Sequence, residues 1–212
     1  MRISGVQNYL YFSSPFVKPK STHMKKITTC LAIALFVSIT GIQAQTEEEN
    51  KKWMEYATPA GMQKMMASWD GNWDEEIKMW MAPGAPEQTM KASCTNRMIL
   101  GGRYQESTHK GDFMGMPFEG IGTLGWDNAG KFFVNTWIDN FGTGMMISTG
   151  TWDEKTQTIN LKGSMTDPMT GKPVQIRETL RIVNDDTQIM EQFTMKDGQE
   201  FKNMEIKMTR RK

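Results

Sequence analysis

The feature that most constrains the fold is a regular alternation of apolar and polar residues from about Trp69 almost to the C-terminus. A period of two is typical of β-strands with one buried and one solvated face. Gly, Asp and Pro turn signals separate the alternating segments, and no long helical pattern interrupts them. The pattern predicts ten strands, near residues 72–81, 89–99, 103–110, 117–126, 131–139, 144–152, 157–166, 173–183, 187–196 and 199–210.

This series of strands indicates an all-β, antiparallel sheet, because parallel strands need long crossover connections. Many of the predicted strands have about ten residues, against about five or six for an average strand. Long consecutive antiparallel strands favour an up-and-down β-barrel, which has no sheet edge, over a Greek-key sandwich. Eight strands already enclose side chains or one small ligand, so about ten strands predict room for an apolar cavity.

The N-terminus has the pattern of a bacterial signal peptide that starts at Met24. Lys25 and Lys26 form the charged region, an apolar run covers 30–39, and Ala44 is a suitable cleavage position. The apolar run is shorter than the roughly 20 residues that a membrane span needs. We therefore expect export to the periplasm or the extracellular space, with no membrane span in the mature chain.

Four segments follow from this interpretation. Residues 1–23 are an upstream extension translated from an early start, and residues 24–44 are the signal peptide. Residues 45–68 form a short helical segment, in which Pro59 is expected in the first turn of a helix. Residues 69–212 form the barrel domain. Within the helical segment, one face of the helix carries Met62, Met65, Met66 and Trp69.

Removal of residues 1–44 takes away five basic residues and no acidic one, which changes the formal charge from +1 to −4. A nucleic-acid partner, which needs a basic surface, is therefore not expected. The mature chain keeps Cys94 as its cysteine and His109 as its histidine, so no disulfide forms within it. No Walker loop, nucleophile elbow or zinc motif occurs in the sequence.

Two glutamates become candidates when a hairpin is centred on Asp185 and Asp186. Ile182 then pairs with Ile189, and the apolar columns match across the turn. In this register Glu178 and Glu191 both fall on the apolar face, roughly 7–8 Å apart at the backbone. They are either polar anchors inside a ligand cavity or a structural pair.

Cys94 and His109 form a second candidate. A two-residue turn at Gly101 and Gly102 places them opposite each other, where the histidine could activate the thiol, and a methionine could complete a copper site. That register sets Met98 against Gln105, a poor polarity match. A three-residue turn pairs Met98 with Tyr104, and the polarity pattern favours this second register.

The other candidates are methionines and aromatic residues. Eighteen of the 20 methionines remain after residues 1–44 are removed, and clusters such as Met62-Met65-Met66, Met79-Met81 and Met114-Met116 are of the type that holds Cu(I). Most of them alternate inward, which favours core and lining roles. Trp126 and Trp137 are expected in the core, and Arg103 either at the rim or pointing inward.

Several motifs together resemble the bacterial family known as domain of unknown function 1579. They are Trp69-x-Gly71-x-Trp73, Leu100-Gly101-Gly102-Arg103 and Gly120-x-Gly122-x-x-Gly125-Trp126-Asp127. The resemblance covers about 62–210 and implies a calycin-like barrel, related to lipocalins, fatty-acid-binding proteins and nitrobindin-type haem proteins. It implies no activity. The haem histidine of nitrobindin-type proteins lies near the C-terminal end of the barrel, whereas His109 lies in the third strand.

The leading functional hypothesis is an exported barrel that binds a small apolar or amphipathic molecule. The predicted ligand-binding residues are Arg103, Tyr104, Trp126, Trp137, Glu178 and Glu191. No catalytic residue, metal or cofactor is assigned, with copper and haem disfavoured. Two alternatives stay open: a copper protein or enzyme that uses Cys94 with His109 or the two glutamates, and a non-catalytic structural or partner-binding module.

Overall fold

A computed structural model of the protein describes residues 46–196 and 198–212. The predicted upstream extension and signal peptide, at 1–44, lie outside this part of the chain. Two helices come first, α1 at 46–57 and α2 at Gly61–Ala67. Ten strands follow: β1 Gly71–Met79, β2 Gln88–Ile99, β3 Tyr104–Phe113, β4 Met116–Asp127, β5 Phe132–Asp139, β6 Met146–Asp153, β7 Thr158–Thr166, β8 Pro173–Asn184, β9 Thr187–Lys196 and β10 Gln199–Arg210.

The strands form one closed antiparallel barrel in which each strand pairs with its neighbours in sequence, and β1 closes the barrel against β10. The prediction of a ten-stranded up-and-down barrel is confirmed. The alternation in the sequence directs side chains alternately inward and outward. In β1, for example, Trp73, Glu75 and Ile77 are buried, whereas Asp74 and Glu76 are exposed.

Helix α2 packs against β2, β3 and β4 at one end of the barrel. The Gln63 amide donates to the Trp126 carbonyl at 3.2 Å, and the Gln105 amide donates to the Met66 carbonyl at 2.6 Å. The helix begins at Gly61 rather than at the predicted Pro59, and the Gln63 side chain caps it by accepting from the Ala60 N–H at 2.9 Å. No helix among residues 46–196 and 198–212 is long and apolar enough to cross a membrane.

The predicted register between β8 and β9 is wrong by one residue. Ile182 lies opposite Gln188 instead of Ile189, and Glu178 lies opposite Gln192. The cause is an irregularity between Ile182 and Asn184, which adds one residue to β8 beside the turn. A shift of one residue exchanges the two faces of a strand, so the shift reverses the side on which every β9 residue was expected.

The favoured register between β2 and β3 is also wrong, and the alternative two-residue turn is correct. Cys94 lies opposite His109, and Met98 lies opposite Gln105. The polarity mismatch is real but costs little, because the buried Gln105 amide donates to the Met66 carbonyl and to the Asp70 carboxylate at 2.9 Å. The partners of Gln105 come from the segment before β1, which a comparison of two neighbouring strands does not include.

Candidate functional site

Inside the barrel, two groups of polar side chains each contain a buried carboxyl group, and they lie within a core that includes Trp73, Phe133 and Ile159. The first, the Glu75 cluster, consists of Glu75, Cys94 and His109. The second, the Glu178 cluster, consists of Glu178 with Asn135, Ser148 and Gln192. Buried polar groups are costly unless they are paired, so each cluster needs a physical account.

Three adjacent strands build the Glu75 cluster. Glu75 on β1, Cys94 on β2 and His109 on β3 all point inward, and the register sets Cys94 directly opposite His109. The Nδ1 atom of His109 lies 3.0 Å and 3.2 Å from the two carboxylate oxygens of Glu75. Its Nε2 atom lies 3.7 Å from the Cys94 Sγ atom. The imidazole therefore bridges a carboxylate and a thiol.

A thiol, an imidazole and a carboxylate in this order are the parts of a cysteine nucleophile with its base and orienting acid. Two observations oppose that role in this fold. Cys94 is only 1% exposed. Burial, together with the negative charge of Glu75, raises the pKa of the Cys94 thiol above its usual range, which keeps the thiol protonated. The Sγ atom also lies 3.1 Å from the Asn96 Oδ1 atom, to which the thiol donates.

Trp137, on β5, packs against the ring of His109. Its ring meets that of His109 edge to face, with 5.0 Å between the ring centroids. The indole Nε1 donates to the Asp139 carboxylate at 2.8 Å. A Cβ atom at Gly120 would lie only 2.5 Å from the indole ring, so the missing side chain of this glycine makes room for Trp137. Glycine at 120 thus helps to position the ring against His109.

The Glu178 cluster lies on β5, β6, β8 and β9. The Gln192 amide donates to the Glu178 carboxyl group at 3.1 Å, and the Ser148 hydroxyl donates at 3.3 Å. Burial raises the pKa of Glu178, and the neighbouring polar side chains Gln192, Ser148 and Asn135 only partly oppose this effect. Within the described residues no ion pair includes Glu178, so no fixed cation neutralises it.

The hydrogen bonds continue from Glu178 to a buried atom that has no partner. The Asn203 amide donates to the Gln192 side-chain oxygen at 2.9 Å. The Asn203 Oδ1 atom and the Gln188 Nε2 atom are both buried without a hydrogen-bond partner in the described structure. Gln188 itself is only 2% exposed. Buried side-chain amide atoms without a partner usually form hydrogen bonds with a buried water molecule or with a ligand.

The structure brings three of the predicted ligand-binding residues together at a surface cleft, where one of them, Trp126, also packs on the core with its ring 4.8 Å from that of Phe133. Arg103, Tyr104 and Trp126 line a surface cleft of about 280 Å³ that the segment between α1 and α2 also borders. The Arg103 guanidinium donates to the Ala57 carbonyl at 2.7 Å and to the Leu100 carbonyl at 3.2 Å. Arg103 therefore fastens the end of α1 to the β2–β3 turn.

Glu191 lies on the outer face of the barrel, which corrects the prediction that it shares the apolar face with Glu178. It sits opposite Thr179 and Glu205, both on that outer face. Its carboxylate accepts from Lys202 at 3.1 Å, and Lys202 also pairs with Glu205. Glu191 thus belongs to a surface charge network.

The methionine clusters lie far apart. Met62 and Met65 pack on the core from α2, at the end of the barrel where β3 begins. Met114 and Met116 are exposed in and beside the β3–β4 turn at the other end, and Met81 is 66% exposed. The thioether clusters therefore do not converge on one copper site among the described residues, and the core role of Met62 and Met65 agrees with their spacing.

Glu75 is not among the predicted site residues, although the sequence carries a signal for it. In β1 the alternating residues Trp73, Glu75 and Ile77 all face inward. A carboxylate flanked by apolar residues at a spacing of two is as informative as Glu178, which was singled out on the same ground. Its meeting with Cys94 and His109, however, depends on the registers of β1, β2 and β3.

The fold and the two clusters show that the protein is a closed β-barrel with polar groups buried inside it. A model of the family described as "Protein of unknown function (DUF1579)" matches residues 58–210. The chain therefore belongs to this family, as its motifs indicated. A comparison with curated proteins found no match.

Among solved structures, the chain is similar to one titled "Crystal Structure of Rv2717c from M. tuberculosis". The two share 16% sequence identity and superpose with a TM-score of 0.57, and the alignment covers 73% of this chain and 100% of the other. At this identity the likeness supports the barrel fold alone.

Proposed function

We propose that this protein is an exported binding protein whose barrel holds a small amphipathic molecule. The observation that carries the proposal is the Glu178 cluster: a carboxyl group, 6% exposed, held by uncharged donors in the middle of the barrel. A core that served packing alone would place apolar residues there, because buried polar groups add little net stability. Binding sites, by contrast, combine apolar walls with a few convergent polar groups.

The chemistry of the cluster suggests the kind of ligand. Glu178 accepts hydrogen bonds. Asn203 is connected to Glu178 by hydrogen bonds through Gln192, and its unpartnered Oδ1 atom also needs a donor. A hydroxyl or amino head group would supply such a donor. Leu161 and Met204 lie beside Glu178 and Gln192 in the register and offer apolar contact for the rest of the molecule.

Native mass spectrometry of the full chain, produced in a bacterium and purified from the periplasm, tests ligand binding. We expect a mass excess that disappears on denaturation, with a released molecule that carries a hydroxyl or amino group. Glu178→Gln is expected to reduce the occupied fraction, whereas Glu191→Gln, a matched change on the outer face of the next strand, is not. Equal occupancy in both variants, or no bound molecule in the unchanged protein, would contradict the proposal.

Export is tested by fractionation of the same bacterial culture. N-terminal sequencing of the periplasmic protein is expected to start at Gln45, after cleavage behind Ala44. Retention of the entire chain in the cytoplasm, with Met1 or Met24 as its first residue, would contradict this part of the proposal without affecting ligand binding.

A further inference from the structure

The Glu75 cluster takes no part in the proposed ligand site, and its composition suggests a use of its own. It combines a sulfur, a nitrogen and an oxygen donor from Cys94, His109 and Glu75, and one ligand atom of each lies within 4.8 Å of the others. Zinc-type ions bind this mixture of donors, typically with three protein ligands and a fourth position for water or another ligand.

The distances are close to those of a coordination site. Metal–ligand bonds of about 2.0–2.3 Å in a tetrahedron set the ligand atoms roughly 3.3–3.8 Å apart. The distance of 3.7 Å between Cys94 Sγ and His109 Nε2 falls in this range. All three ligand atoms lie within 4.8 Å of one another, so small side-chain movements would bring them to coordination distances.

The burial of Glu75 is a second, independent observation. Its side chain is 1% exposed, and the ion pairs of the described residues give it His109 as a partner, with no lysine or arginine. A carboxyl group this far from water keeps its negative charge only with a charge partner or a metal ion, and otherwise takes up a proton. A divalent cation between Glu75, Cys94 and His109 would balance the carboxylate together with a thiolate.

Access and positioning are consistent with an ion rather than a larger substrate. The His109 side chain is 12% exposed and is the most accessible member, whereas Cys94 is too deeply buried for a substrate to reach its sulfur. Trp137 packs against one side of the imidazole and helps to fix its orientation. An ion held by Nε2 and Cys94 would take the Glu75 carboxylate away from its present hydrogen bond with Nδ1.

We propose that Glu75, Cys94 and His109 form a binding site for one divalent transition-metal ion of the zinc type inside the barrel wall. The site is independent of the proposed ligand, since it shares no residue with the Glu178 cluster.

Cobalt(II) is the probe, because a thiolate bound to it gives a charge-transfer band in the near ultraviolet. The sample is the full chain without a polyhistidine tag and with Cys30→Ser, so that Cys94 is its only thiol. We expect one equivalent of cobalt to produce the band and one equivalent of zinc to remove it. The absence of a thiolate band in this protein would overturn the proposal, and this result depends on no substitution within the barrel.

Variants assign the ligands. Cys94→Ser is expected to abolish the band, and Glu75→Gln to weaken cobalt binding by about tenfold or more. Glu119→Gln is the matched control, because it removes an exposed carboxylate on β4 that pairs with Lys110. Far-ultraviolet circular dichroism confirms that each variant is folded. Equal weakening by Glu75→Gln and Glu119→Gln, or binding that survives Cys94→Ser, would show an adventitious site and refute the proposal.

Discussion

Two carboxyl side chains, Glu75 and Glu178, lie inside the barrel with exposures of only 2% and 6%. They are held in different ways. Glu75 faces the ring of His109, whereas Glu178 receives hydrogen bonds from an amide and a hydroxyl group. Because the neighbours of Glu178 are uncharged, burial controls its ionisation, and its pKa is raised. This difference makes one carboxyl a candidate ligand for a cation and the other a polar anchor.

The raised pKa of Glu178 predicts a dependence of stability on pH. As the pH rises, Glu178 loses its proton in the unfolded chain before it does so in the folded protein. The contribution of Glu178 to the free energy of unfolding is therefore greatest at low pH, and it is lost as the pH rises through the pKa of Glu178 in the folded protein. Glu178→Gln should therefore raise the free energy of unfolding at pH 7, and the gain should vanish near pH 4, about the unperturbed pKa of a glutamate. Urea titrations at both pH values measure this difference.

Glu191→Gln serves as the control for that experiment. Its carboxylate is on the outer face and pairs with Lys202, so the substitution should give no gain in stability at pH 7. A gain for Glu178→Gln that is the same at both pH values would show that ionisation of Glu178 is not the cause.

Gly120 has no side chain, and this leaves room for the ring of Trp137. Gly120→Ala would set a Cβ atom 2.5 Å from an indole held by the Asp139 carboxylate. We expect a loss of about 1–3 kcal/mol in the free energy of unfolding, as for other overpacked interiors. At Gly122 the same change meets the ring at 3.6 Å, an ordinary contact, so Gly122→Ala should cost nothing measurable. Equal losses at both positions would contradict this explanation.

At the scale of elements, the N-terminal helices are attached to the barrel by hydrogen bonds from turns. Asn128, in the β4–β5 turn, donates to the carbonyls of Glu55, Tyr56 and Thr58 at 3.3, 3.0 and 2.9 Å. Arg103 in the β2–β3 turn reaches the carbonyl of Ala57. Side chains of two turns thus satisfy the carbonyls that the last turn of α1 cannot pair internally.

Asn128→Ala should loosen the end of α1 without unfolding the barrel. Each lost hydrogen bond contributes about 0.5–1.5 kcal/mol, so the amide protection of the last turn of α1 and the following residues should fall by about tenfold. Hydrogen exchange followed by mass spectrometry measures this local change. Asn160→Ala, at an exposed position of β7, is the control. Unchanged protection around Tyr56 in the Asn128 variant would refute the assigned role.

At the scale of the whole molecule, the barrel exists only when the first and last strands pair. Residues of β1 lie opposite those of β10, from Trp73 with Arg210 to Met79 with Met204. Arg210 reinforces this closure: its guanidinium donates to the carbonyls of Asp70 and Ser68 at 2.6 and 2.9 Å. It also lies 4.3 Å from the centre of the Trp73 ring.

Arg210→Ala should therefore destabilise the entire barrel by about 2–3 kcal/mol, because hydrogen bonds that involve a charged group contribute more than neutral ones. The neighbouring Arg211 pairs only with Asp74 at the surface, so Arg211→Ala should cost about 0–1 kcal/mol. Urea unfolding followed by tryptophan fluorescence compares the two variants. Similar losses for both would show that the contacts of Arg210 do not contribute specifically to closure.

The sequence by itself determined the all-β class, the ten strands and the closed barrel. A period of two over ten segments with short turns has few other solutions, and the inward positions of Trp73 and Glu178 follow directly from it. The barrel that the family resemblance implies agrees with this prediction, and the closed ten-stranded sheet of the structure confirms it. The strand class, the number of strands and the inward positions depend only on the alternation within each strand, so they can be predicted without knowing which strands pair.

Only the tertiary structure decided which side chains meet inside the barrel. Cys94 and His109 face each other because Gln105 finds its partners in α2 and Asp70, so the mismatched register is stable. Glu191 lies outside because an irregularity in β8 shifts one register by one residue. Register depends on contacts that are distant in sequence, and one residue of shift exchanges the faces of a strand. The barrel could therefore be predicted from the pattern, whereas its polar clusters could not.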